Sequence, residues 1–400
     1  SSSNGRILGF LTLLGINGFC NTFKTYDLED AGQRAARLAL VNLIPLFLGG
    51  SHDFAAHSLG FSLDVYSFLH RSFAVAALLE AVIHVAIVIR TTSTSLNIDM
   101  NVYGIVAASI LLSLFVLPFV RRRVYEIFLV AHKACAIAVV YAIWQHTRSA
   151  PGYIWLFSAL YALILTLTVM MQFLRTLYQN VTVEKSLAKV NIQCYPGDTT
   201  QLRVLLPRPW KVRAGQRVNL SVPHVGIQYA LQSHPFTVAW WETDRQGKAR
   251  SFTILLRPQS GFTQKMVERL RPDHSYKAWT SGLYGPKSIN WHPNSRIGNY
   301  GHVFFATTGI GIAAQLPYIK ELLDGHQNAT ITTQKICLIW QLDQIGDWES
   351  ARDLLQCLVR QDNGYVSFVP SVAQHPVPFN TSYYVITNPD ATSLSLRRNS

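Results

Sequence analysis

His70-Arg71-Ser72-Phe73-Ala74-Val75-Ala76-Ala77-Leu78-Leu79-Glu80-Ala81-Val82-Ile83-His84 is an apolar stretch with a histidine at each end. A second stretch, from His132-Lys133-Ala134-Cys135 to Ile143-Trp144-Gln145-His146, repeats that arrangement. The histidines stand fourteen residues apart in both. Fourteen helical steps of about 100° end roughly 40° from the start, and at ~1.5 Å per residue they advance roughly 21 Å. Each stretch, as a helix, therefore carries its two histidines on one face at two levels. Ionisable side chains inside apolar spans are costly and mark function. A lone histidine would be read as a hydrogen-bonding partner of a neighbouring helix. Four in two matched pairs predict two metal sites, His70 with His132 and His84 with His146, each holding a haem between two imidazoles. Zinc fits less well, because two ligands per level leave its shell incomplete. Haem iron held on both faces has no open position, so it relays electrons and does not bind substrate.

Outward from these stretches the chain divides in two. Hydrophobic residues make up 49% of its 400 residues. Long apolar runs fill the region up to about Leu174, and alternating strands with Gly and Pro turns fill the rest. Six spans are expected: Ile7–Phe23, Ala36–Gly50, Val65–Ile89, Val102–Val120, Ile127–Trp144 and Tyr153–Leu174. Asn42 and Pro45 predict a kinked or interfacial second segment. The basic run Arg121-Arg122-Arg123 predicts a cytosolic loop between spans four and five. Spans three and five then run parallel, a tight outer turn comes at Pro151-Gly152, and the second half of the chain lies in the cytosol. Arg71 and Lys133 each follow an inner histidine, placed either to pair with haem propionates or to snorkel.

The formal net charge of +13 is scattered apart from that run, so nucleic acid is not an expected partner. Cys20, Cys135, Cys194, Cys337 and Cys357 show no CxxC and no disulfide-like spacing, in keeping with a reducing compartment. The Asn-x-Ser/Thr triplets at Asn180, Asn328 and Asn380 fall in the cytosolic half and are read as chance matches. The chain opens Ser-Ser-Ser-Asn without a signal-peptide pattern and is expected to start partway into a longer protein.

The second half reads as two pieces. Short strands such as Gln201–Leu206, Arg217–Val222 and Ser251–Leu256 predict a small antiparallel barrel. Within it His234-Pro235-Phe236-Thr237 offers an imidazole, an aromatic ring and a hydroxyl at a strand edge, suited to a flavin. Arg257-Pro258-Gln259-Ser260-Gly261-Phe262-Thr263 precedes an expected helix at Gln264–Leu270, and Gly261 with Thr263 at its start suits a phosphate. Beyond, a strand at 302–306, the turn Thr307-Thr308-Gly309-Ile310-Gly311 and a helix over Ala314–Leu323 predict the first unit of a dinucleotide-binding fold, with Thr308, Gly309 and Gly311 at the nucleotide. Strand Lys335–Gln341 and helix Glu349–Val359 form a second unit.

From about Ala36 to Asp362 these motifs resemble the fungal ferric reductase transmembrane components, relatives of the NADPH oxidases. Asn42-Leu43-Ile44-Pro45-Leu46, His70-Arg71, His84, His132, His146, His234–Thr237 and Gly309–Ile319 carry the resemblance. It implies a multi-domain membrane protein: an α-helical transmembrane bundle over 1–175 binding two b-type haems, an FAD-binding β-barrel over 181–299, and an NAD(P)H-binding α/β domain over 300–400. Together the last two form a ferredoxin-reductase-like module. His234, Pro235, Phe236 and Thr237 would hold FAD, and Gly309 and Gly311 would approach NADPH. The implied activity is NADPH-dependent reduction of extracellular ferric or cupric chelates at the plasma membrane, in iron uptake. A hydride delivers two electrons and a haem takes one, so a flavin must stand between them. A superoxide-producing oxidase would share the relay and differ only in acceptor. The resemblance departs at Ser281-Gly282-Leu283-Tyr284-Gly285-Pro286, at Thr307-Thr308, and in the absence of a C-terminal Cys-Gly-Pro segment. The last implies a nucleotide domain incomplete at its carboxyl end and, as a further alternative, a catalytically silent haem protein. A transporter would need an internal repeat and a polar midplane cavity, and the sequence has neither.

Overall fold

The computed structural model describes residues 3–48, 51–91, 99–121, 123–148, 150, 152–182, 187–226, 229, 232–286, 296–362, 367–368 and 383–384. Arg122, Pro151, Asn380 and most of the outer loop expected at Arg90–Met100 lie outside the described residues. The chain forms two compact units, Ser1–Phe173 and Leu174–Ser400.

The first unit is helical: α1 (Ser3–Thr22), α2 (Leu28–Leu43), α3 (His52–Leu59), α4 (Leu63–Thr91), α5 (Asp99–Val116), α6 (Tyr125–Thr147) and α7 (Trp155–Asn180), whose last two turns belong to the second unit. Among the described residues, four helical stretches are long and apolar enough to cross a membrane: Leu63–Thr91, Val102–Phe119, Ile127–Thr147 and Trp155–Asn180. The pair Leu28–Phe47 and His52–Leu59, bent by 92°, makes a fifth if counted as one broken span. Of the six expected spans, the last four meet this measure as unbroken helices and the second meets it as the bent pair. α1 carries Gly9, Gly15, Gly18, Asn17 and Asn21, which dilute its apolar surface. α2 starts at the Asp27 cap and carries Glu29, Asp30, Arg34 and Arg37, so it is two-faced and not uniformly apolar. Pro45 begins a 3₁₀ turn at Ile44–Phe47 and stops the helix where the kink is expected.

Hydrocarbon gives helices little hydrophobic reason to associate, so small residues and polar pairs do that work. Ala76 and Ala77 of α4 are 1% exposed. Asn42 of α2 donates to Asn17 of α1 at 2.6 Å, and Asn21 of α1 donates to Glu80 of α4 at 2.5 Å. The Tyr161 hydroxyl of α7 donates to the carbonyl of Leu40 in α2 at 2.6 Å. Large apolar side chains such as Ile137, Leu163 and Met171 face outward, as lipid-facing positions do.

In the second unit, seven antiparallel strands run in the order β4-β3-β7-β1-β2-β6-β5. They are β1 (Ala188–Tyr195), β2 (Thr199–Trp210), β3 (Arg217–Ser221), β4 (His234–Thr237), β5 (Trp240–Thr243), β6 (Ala249–Leu256) and β7 (Ser275–Tyr284). Their inward faces, among them Val190, Ile192, Leu202, Val204, Leu220 and Ile254, form one barrel-like core closed by Phe262 and Met266 of helix α8 (Phe262–Arg269). Asn180, at the end of α7, is fully buried. It takes the amide of Thr280 at 2.9 Å and donates to the Thr280 carbonyl at 2.6 Å, so this Asn-x-Thr triplet is a structural clamp.

The remaining layer has β8 (His302–Thr308) parallel to β9 (Lys335–Gln341), in register from His302↔Lys335 to Thr308↔Gln341. β10 (Ser367–Phe368) adds in parallel and β11 (Tyr383–Tyr384) in antiparallel sense to β9. Helices α9 (Ile312–Gln327) and α10 (Ile345–Gln361) pack on this sheet. Its core includes Ala239, Trp240 and Leu255 of the barrel, so the two layers share apolar packing.

Candidate functional site

α4 and α6 bring the four histidines together in the expected pairs. The ring centres of His70 and His132 lie 6.4 Å apart, and those of His84 and His146 lie 6.5 Å apart. Because the earlier histidine of one helix meets the earlier of the other, the two helices run parallel. A metal bonded to one nitrogen of each ring, at ~2.0 Å per bond, separates the ring centres by about 6 Å. Both levels fit that arrangement.

The surroundings fit as well. The Nδ1 of His84 lies 2.9 Å from the carbonyl oxygen of Gly32; as an N–H it donates there and would leave Nε2 available to a metal. Gly32 brings α2 that close: a Cβ on it would press to 2.8 Å from Ile87. A Cβ on Gly104 of α5 would stand 2.8 Å from the ring of His146. These two glycines make room for the outer pair. At the inner level, the Nδ1 atoms of His70 and His132 are buried without a hydrogen-bond partner among the described residues. His52 of α3 packs its ring 4.7 Å from that of His70, and the buried Tyr66 lies beside both. Arg71 donates to the Ser67 carbonyl of its own helix at 3.1 Å. Among the described residues no three His, Cys, Asp or Glu side chains converge as a metal-binding group.

In the second unit, β4 pairs with β3 from Arg217↔Thr237 to Leu220↔His234, which places His234, Pro235, Phe236 and Thr237 on the edge strand of the barrel sheet. The His234 ring stacks on Phe262 with centres 4.1 Å apart and planes 2° from parallel. Tyr229 and Phe236 flank Phe262 at 5.3 and 6.3 Å. Burial pushes the His234 imidazole down to about 4. It is therefore neutral at pH 7, and its Nε2 is buried with no partner among the described residues. An aromatic wall with one unanswered ring nitrogen suits a planar heteroaromatic ligand.

The Arg257–Thr263 segment is arranged differently from a simple phosphate cradle. Arg257 grips Asp347 through Nη2 at 2.8 and 3.0 Å and reaches Asp343 at 3.3 Å. Burial opposes its charge, but these two acids outweigh that and raise its pKa. Asp347 is fully buried and also takes the Thr199 hydroxyl at 3.1 Å and the amides of Asp343 and Gln344 at 3.2 Å. This cluster ties the barrel to the α/β layer. The Thr263 hydroxyl receives the Gln259 amide at 2.8 Å and donates to the Gln259 carbonyl at 3.1 Å, closing the loop before α8. Gly261 has φ +89°, a conformation that glycine favours.

At the Gly-rich turn, Thr308 ends β8 and is exposed, and Gly309–Gly311 forms a 3₁₀ turn into α9. Gly309 has φ +47°, and its carbonyl accepts the Trp340 indole N–H at 2.8 Å. A Cβ on Gly309 would overlap the Asp343 carboxylate. Gly32, Gly104, His52, Phe262, Asp343 and Asp347 were not singled out by the sequence pattern. A glycine within the apolar run of α5 was the one available hint.

Ferric reductase like transmembrane components, as a family, match residues 35–143, and an FAD-binding domain family matches residues 184–299. Ferric/cupric reductase transmembrane component 2 of Saccharomyces cerevisiae is 26% identical over 328 residues, covering 79% of this chain and 43% of that protein. The protein of the same description from Schizosaccharomyces pombe is 23% identical over 398 residues, covering 86% and 67%. The chain thus spans less than half of the first relative and about two thirds of the second. Ferredoxin-NADP+ reductase from Plasmodium falciparum aligns with 47% of this chain and 70% of that one at a TM-score of 0.32 and 14% identity. The helical region is thus similar to the ferric reductase like transmembrane components, and the barrel that follows it to an FAD-binding domain family.

Proposed function

We propose that this chain passes electrons from a reduced nicotinamide dinucleotide, through FAD and two b-type haems, to a ferric or cupric chelate across the membrane. The observation that carries the reading is the equal separation of the two histidine pairs, 6.4 and 6.5 Å, each matching two imidazoles on one iron. When bound, the flavin takes both electrons of a hydride and releases them singly to the one-electron haems.

His70 and His132 would hold the inner haem and His84 and His146 the outer, with Gly32 orienting His84 and Gly104 leaving room for His146. The helix rise puts the two levels roughly 21 Å apart along the axis. His234, with Phe262 beneath it, would wall the flavin ring, and its unprotonated ring avoids placing a positive charge there. Pro235, Phe236 and Thr237 would continue that wall, with Gly261 and Thr263 near the flavin phosphates. Thr308, Gly309 and Gly311 would meet the dinucleotide, for which the family resemblance implies NADPH. The Arg121–Arg123 run supports a cytosolic flavin unit, and the family resemblance points to the plasma membrane. Reduction of metal chelates in iron uptake is favoured over superoxide formation by the ferric and cupric names of the relatives.

The test is an anaerobic absorption titration of the detergent-purified chain loaded with haem and FAD. Sharp reduced-haem bands on adding reduced nicotinamide, discharged by a ferric chelate, are the expected result. Bands that form with dithionite alone would sink the relay while leaving the histidine assignment standing.

A further inference from the structure

β8 and β9 are parallel and end level, with Thr308 opposite Gln341. The turn after β8 therefore lies beside the turn after β9. Gly309 comes directly after β8, and Asp343 stands two residues beyond β9. The two meet: the nearest atoms to a Cβ on Gly309 are those of the Asp343 carboxylate, then Nη2 of Arg257 at 3.3 Å. In a β-α-β unit of this kind the pyrophosphate meets the first turn, and the adenosine ribose meets the end of the second strand. A carboxylate at that strand end accepts hydrogen bonds from a free ribose diol. It repels a 2′-phosphate, which an arginine there would instead accommodate.

An arginine is close by, but it is committed. Arg257 is held by both oxygens of the buried Asp347 and by Asp343. Two carboxylates against one guanidinium leave a net negative charge beside the turn. Asp343 itself is 42% exposed and open to a ligand. We infer that Asp343 is the specificity-determining residue of the nucleotide site and selects a dinucleotide with a free ribose 2′-hydroxyl, NADH, over the 2′-phosphorylated NADPH that the resemblance implies. The inference rests on the proposed reading of the Gly309 turn as the nicotinamide-dinucleotide site.

The test is calorimetric titration of the full FAD-loaded chain with NAD⁺ and NADP⁺, which bind without donating a hydride. NAD⁺ is expected to bind at least about tenfold more tightly, since a like-charge contact opposes the other ligand. Asp343→Asn should narrow the ratio and Asp343→Arg reverse it, with retained flavin fluorescence reporting that each variant is folded. Wild-type binding of NADP⁺ as tight as that of NAD⁺ overturns the role of Asp343 alone. Binding of neither removes the nucleotide site itself, and this inference with it.

Discussion

His84 of α4 and Gly32 of α2 are joined by a 2.9 Å contact between an imidazole Nδ1 and a backbone carbonyl. That contact turns one nitrogen of His84 toward α2, while the ring of His146 stands 6.5 Å away, centre to centre. Gly32 is the residue at which the two helices approach this closely, with Ile87 filling the remaining space.

The outer level should therefore be sensitive to bulk on the helices around it. Gly104→Val places atoms on the His146 ring, and Gly32→Val pushes α2 away from His84. Each variant is expected to bind one haem per chain in place of two, read as the pyridine haemochrome to protein ratio. Retention of both haems in Gly104→Val would refute the packing argument.

The inner level should respond independently. His132→Leu would remove the proposed partner of His70 and leave His84 and His146 untouched. The expected result is again half the haem, with the remaining haem keeping its low-spin bis-histidine spectrum. Electron delivery from the nicotinamide should then fall by at least about a hundredfold, because a missing relay station lengthens the transfer.

His234 sets a pH dependence whose sign comes from burial. Its folded value is lowered to about 4 from an ordinary 6.5. Between those values the unfolded chain binds a proton that the folded chain does not, so stability falls as the medium acidifies. The contribution is complete above about pH 6.5 and is lost as pH falls through about 4. The thermal midpoint of the flavin unit in the wild-type chain should therefore drop more steeply from pH 7 to pH 4.5 than that of His234→Phe, which keeps a ring on Phe262. Equal slopes would show that the imidazole is not buried in its neutral form.

Asp347 gathers four donors while fully buried, so its loss leaves Arg257 without its main partner. Breaking a buried pair by removing one member costs about 3–5 kcal/mol. Asp347→Ala is expected near the lower end, since Arg257 retains 29% exposure and keeps Asp343. Release of flavin fluorescence on heating measures it, and a shift in Tm of less than about 2 °C would contradict the role assigned to the cluster.

Local rules carried far in this chain. Helical periodicity alone placed His70 with His84 and His132 with His146 on single faces, because the rise and twist of a helix do not depend on what surrounds it. Pro45 announced the break after α2, and the Gly-rich turn after a strand announced the β8–α9 unit. The alternation of apolar residues separated a membrane half from a barrel half for the same reason: it reports the solvent each side chain meets. Apolar content alone did not reveal which face of α2 is polar. The partner of each histidine across the bundle, the stacking of His234 on Phe262, and the meeting of Asp343 with Gly309 depend on contacts between residues far apart in the chain. Those contacts are set by how helices and strands pack, and no local pattern encodes them. Asn180 makes the contrast plain: as sequence it is a glycosylation triplet, and in the fold it is a buried clamp on Thr280.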